Sequence, residues 1–184
     1  MTKIKNILRN WLPLAAALTI LCGLVYVSVQ QALRMGANDP QIQMAEDAAD
    51  ALTAGQSVDA LVPMEKVSVA KSLAPFLIVY DANGNEVASS VVLDGQTPGL
   101  PDGVLDSTQT MRENRVTWQP RAGVRVAAVI VAYKDGYVLA GRNLREVEKR
   151  EDQTFTFAAI TWVLAMVATL AVIAGGEWLL KETK

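Results

Sequence analysis

The sequence predicts an α+β domain, a five-stranded antiparallel sheet with flanking helices, carried between two transmembrane helices. Three observations carry this. The chain of 184 residues is 51% apolar, and two uncharged blocks, residues 11–29 and 155–176, hold much of that apolarity. Between the blocks, five runs at 76–80, 86–90, 115–119, 124–133 and 137–142 are rich in β-branched or aromatic residues and separated by turn chemistry. Helical spacing of apolar residues flanks those runs on either side, after Pro40 and after Asn143.

As helices, the apolar blocks extend about 28 Å and about 33 Å, which brackets a bilayer's hydrocarbon core of roughly 30 Å. The remaining chain is too short to hide two uniformly apolar helices of that length. Lys3, Lys5 and Arg9 precede the first block as they would in a signal peptide. No small-x-small cleavage pattern follows it, however, and Leu21 stands where a lipoprotein signal before Cys22 needs a small residue, so the block is expected to be an uncleaved anchor. Residues 1–10 and 177–184 together carry five basic and two acidic side chains, against twelve basic and seventeen acidic in residues 30–154. The positive-inside bias then expects a two-pass protein of a bacterial plasma membrane, with both termini cytoplasmic and the domain at 30–154 extracytoplasmic.

Absences narrow the chemistry. The chain has no histidine and a single cysteine, inside the first apolar block. That excludes a histidine phosphoacceptor, His-ligated zinc, a Ser-His-Asp hydrolase, thiol catalysis and a disulfide framework. Ser89 and Ser90 lack any base to activate them. No catalytic residue, metal-ligating set or cofactor is expected, nor is an enzyme. An acidic outer domain argues against nucleic acid, which favours a basic face.

Taken in order, residues 29–35 extend the first helix until Gly36 loosens it. Asn38, Asp39 and Pro40 signal a new start, and Ile42, Ala45, Ala49 and Leu52 then form one stripe, closed by Gly55. Residues 59–63 read as a turn and 64–73 as a second amphipathic helix before Pro75. The first hairpin follows, its turn Asp-Ala-Asn-Gly at 81–84 supplying a side-chain acceptor and a glycine for positive φ. A Gly/Pro-rich stretch at 91–106 crosses over to a short helix, 104–114, which Asp102 could cap. Residues 115–142 make a meander. Its strand 124–133 contains only Arg125 as a charge, as befits a strand covered on both faces, and Gly136 suits a left-handed position closing the Lys-Asp-Gly loop. Asn143 and Glu146 resemble a capping box for a charged helix that runs without a stop into the second apolar block.

This order resembles the extracytoplasmic PAS-like, single-Cache sensor domains of bacterial transmembrane receptors. The likeness rests on residues 76–90, the Leu-Pro-Asp-Gly-Val segment at 100–104 and residues 124–148, and it covers roughly 38–152. It implies a small molecule held between sheet and crossover, with shifts passed down the terminal helices to a cytoplasmic output. Residues after Gly176 leave no room for such an output here, so a membrane protein partner carrying it is expected. The alternative is an accessory or assembly subunit whose outer domain is a docking surface without ligand.

The candidate ligand-binding residues are Trp118, Arg125, Tyr133, Tyr137 and Arg142. Arg125 and Tyr133, eight apart, share one strand face, and Arg142 shares a face with Val138 on the next strand. An arginine among aromatic rings could grip a carboxylate. In the apolar blocks, Ala15, Thr19 and Gly23 repeat every fourth residue, which suits a homodimer seam or contact between the two spans. The lipid bilayer is the remaining expected partner.

Overall fold

The computed structural model describes residues 2–36 and 39–182. In chain order the elements are α1 (Thr2–Gly36), α2 (Asp39–Thr53), α3 (Val58–Leu61), β1 (Val67–Ser68), β2 (Phe76–Asp81), β3 (Glu86–Ser89), β4 (Val91–Val92), α4 (Val104–Met111), β5 (Glu113–Arg121), β6 (Val124–Tyr133), β7 (Gly136–Asn143) and α5 (Arg145–Glu182). They divide into two compact units, residues 34–148 and the paired apolar lengths of α1 and α5. The fold is α+β, as the patterning predicts.

In the first unit the five longer strands form one antiparallel sheet in the order β3-β2-β7-β6-β5. The last strand to be made, β7, therefore sits in the middle, between the first hairpin and the rest of the meander. Alternation along the strands sends side chains to two faces. On one face Phe76, Ile78, Tyr80, Val126, Ala128, Ile130, Tyr137 and Leu139 pack with Val69, Val91, Leu93 and Val104 from the crossover side. On the other, Leu77, Val79, Val129, Val138 and Ala140 meet Ala45, Ala48, Ala49, Leu52 and Val62. The small side chains of α2 let that helix lie close on the sheet. β6 is covered on both faces, as its lack of charge predicts.

The hairpin turn follows its chemistry. Asp81 Oδ1 accepts from the backbone N–H groups of Asn83 (2.9 Å) and Asn85 (2.8 Å), and Gly84 adopts φ +82°. The α2 helix closes at Gly55, also at positive φ. Of the start signal at residues 38–40, Asn38 lies outside the described residues, while Asp39 and Pro40 open α2.

Three local expectations are corrected. Residues 64–73 are not a helix: Met64 is 94% exposed, and the segment runs between Pro63 and Pro75 as strand β1 and turns. β1 pairs in parallel with β4, so that the Val67 and Val69 amides donate to Ser90 and Val92 carbonyls at 2.9 and 3.1 Å. The helical turn falls earlier, at α3. Asp102 does not cap α4; Gly103, at φ +76°, stands at the helix start with no side-chain bond. Gly136 is not left-handed but paired within the sheet, facing Tyr133 and Asp81. It must be glycine because a Cβ there would lie 2.0 Å from the Tyr80 carbonyl oxygen.

In the second unit, α1 and α5 are each long and apolar enough to cross a membrane. Leu12, Ile20, Leu24, Val163, Leu164 and Val172 are exposed along them. They pair through polar and aromatic contacts. Trp11 donates its indole N–H to Thr169 Oγ1 (3.2 Å) and Trp162 to Thr19 Oγ1 (3.0 Å), while Tyr26 and Phe155 meet edge to face at 5.8 Å. Ala15 is buried and Thr19 bonded at this seam, whereas a Cβ on Gly23 would touch nothing.

Candidate functional site

Between the sheet and the crossover lies a cleft of about 490 Å³. The β2–β3 hairpin supplies Tyr80, Asn83, Gly84 and Glu86, β7 supplies Tyr137, residues 97–103 form the outer wall, and α4 adds Leu105, Asp106 and Gln109. Tyr80 and Tyr137 face each other in the β2–β7 register, and their rings form the floor as members of the buried cluster on this face. The hairpin meets α4 where Leu105 Cδ1 would come within 3.1 Å of a Cβ on Gly84.

The outer wall is tied down at three points. Thr97 Oγ1 donates to Glu86 Oε1 at 2.9 Å. The Trp118 indole N–H donates to the Gly99 carbonyl at 3.1 Å. Farther back, Arg121 pairs with Asp94, which sits at φ +53°. These ties anchor the crossover to β3 on one side and to β5 on the other. Burial, and secondarily the charge of Glu86, push the Tyr80 hydroxyl well above its ordinary pKa, so it stays neutral. Hydrogen bonds from the Asn85 side chain and then its backbone hold the Asp81 carboxyl below the usual range.

The five residues singled out from the sequence divide between the two faces of the sheet. Tyr137 lines the cleft. Trp118 packs on the same face and holds the crossover wall. Tyr133 packs on the α2 face, where burial, then Asp135 and Asp81, raise its hydroxyl pKa. Arg125 is exposed and pairs with Glu148 at 3.4 Å. Arg142 opposes Ala127 and alternates with Val138 and Ala140, again away from the cleft. The same-face rule for Arg125 with Tyr133 and for Arg142 with Val138 holds; the face is the one opposite the crossover. Tyr80, Glu86 and Asp106 were missed. Tyr80 ends an apolar strand and carries no pattern of its own, and only the β2–β7 pairing brings it beside Tyr137.

Chemically, the cleft offers two phenol hydroxyls and the carboxylates of Glu86, Asp102 and Asp106, with no lysine or arginine among its lining residues. Among the described residues no group of His, Cys, Asp and Glu could hold a metal ion. Comparison with family models, with curated proteins and with solved structures finds no match to the chain.

Proposed function

We propose that the chain is a membrane-anchored, sensor-like protein whose outer domain binds a small ligand in the cleft beneath the crossover and relays a helix shift to a membrane partner. The observation that carries this reading is the cleft itself. It lies between sheet and crossover, where the likeness to PAS-like, single-Cache domains places a ligand, and its volume falls in the range of roughly 300–1,000 Å³ usual for small-molecule sites. The charge pattern supports placing residues 30–154 outside a bacterial plasma membrane with both termini in the cytoplasm. Continuity of α5 from Arg145 into its apolar length supports a route for the relay.

The test is a thermal-shift screen of the full chain in lipid nanodiscs against amino acids, amines, carboxylates and other metabolites. A true ligand at a hundred times its dissociation constant adds about 2.7 kcal/mol of stability, and that gain should shrink in Tyr137→Phe. A well-folded chain that no compound stabilises would instead be a docking subunit of a membrane assembly.

A further inference from the structure

We infer that the cleft takes a small organic ammonium ligand rather than the carboxylate that an arginine-lined pocket would hold. The inference rests on the ligand-binding reading above and specifies its chemistry. The first observation is the sign of the lining. Glu86, Asp102 and Asp106 stand around the cleft, and Arg125 and Arg142 lie outside its lining. An anion would enter against like charge and find no cation to offset its lost hydration.

The second observation is independent of charge. Tyr80 and Tyr137 are each only 7% exposed, and both line the cleft. Among the described residues neither hydroxyl has a hydrogen-bond partner, yet no fully enclosed side-chain oxygen is left unsatisfied. Each hydroxyl therefore keeps some exposure, on a tyrosine that lines the cleft. A phenol oxygen accepts from an N–H donor, and the pairing of Tyr80 with Tyr137 across neighbouring strands puts two such residues on the lining of one cleft. Glu86, steadied by Thr97 at 2.9 Å, supplies the opposite charge. An ammonium ion carries three donors and a positive charge, and that is the complement of this set.

The experiment uses the full chain in nanodiscs of zwitterionic lipid, with 1-aminobutane and 1,4-diaminobutane as probes and butanoate, butanedioate and 1-butanol as matched controls. Calorimetric titration should find binding by at least one amine and by none of the controls. Affinity should fall about tenfold in Glu86→Gln and in Tyr137→Phe, as loss of a charge-assisted contact requires, and stay unchanged in Tyr133→Phe on the opposite face. Raising sodium chloride from about 50 to about 500 mM should weaken the amine severalfold in the unaltered protein, a readout that needs no variant. Binding of a carboxylate that Tyr137→Phe abolishes would overturn the ammonium assignment while leaving the ligand-binding reading intact. Absence of binding by both amines refutes the assignment, and the broad screen then decides whether the reading falls with it.

Discussion

Glycine at two places in β7, Gly136 and Gly141, shows how single residues set the sheet. A Cβ on Gly141 would meet Phe76 Cζ at 2.6 Å, a side-chain obstacle, whereas one on Gly136 would meet the Tyr80 carbonyl at 2.0 Å, a backbone one. We expect Gly141→Ala to cost about 1–3 kcal/mol in denaturant unfolding and to be partly rescued by Phe76→Leu, since a smaller, flexible side chain makes room. Gly136→Ala should resist any side-chain rescue; recovery there would contradict the geometry. Asp81 gives a second residue-scale prediction. Its folded pKa is depressed, so its contribution is present above the unfolded value of about 3.9 and is lost as pH falls through the lower folded value. Melting temperatures from pH 6 to pH 2 should therefore drop more steeply in the unaltered protein than in Asp81→Asn. Parallel acid limbs would show that the turn contributes nothing through this carboxylate.

At the scale of elements, the junction between sheet and last helix turns on Asn143. Its Nδ2 donates to the Val69 carbonyl at 2.6 Å and its Oδ1 accepts from the Arg145 amide at 2.7 Å, so one buried amide joins the end of β7, the start of α5 and the segment following β1. Asn143→Ala should destabilise the domain by about 1–3 kcal/mol, with amide exchange accelerated at Val69 as well as at Arg145. An effect confined to Arg145 would mean that only a cap was lost. Hairpin, meander and α2 were legible because each is written in local chemistry: Asp81 with Gly84, the uncharged run of β6, the stripe of Ala45, Ala49 and Leu52. Residues 64–73 misled because Val67, Ala70 and Leu73 repeat at helical spacing, while the partner that makes Val67 and Ser68 a strand lies more than twenty residues away, in β4. The site was half legible for a similar reason. Tyr137 could be chosen from its strand, but alternation says only which residues share a face, and nothing local told which face the crossover would cover. Arg125, Tyr133 and Arg142 fell on the other.

For the molecule as a whole, the two apolar helices and the charge of the chain between them make topology testable in cells. Cys22 is the single cysteine, so a Cys22→Ser background can carry one reporter at a time. Ala122→Cys, at the exposed β5–β6 turn, should react with an impermeant maleimide in intact cells. Lys5→Cys should react only after lysis. The reverse pattern would invert the protein, and labelling of both sites in intact cells would remove the first anchor. The central position of β7 has one more consequence, for the timing of assembly. Phe76 pairs with Gly141 and Tyr80 with Tyr137, so during synthesis β2 waits with an open edge until nearly the whole domain has emerged, and the closure joining them spans most of its length. An unpaired edge of five buried apolar or aromatic residues is a template for misassociation. Synthesis of this chain therefore has a vulnerable interval that ends only when residues 136–143 arrive, immediately ahead of the long apolar helix α5.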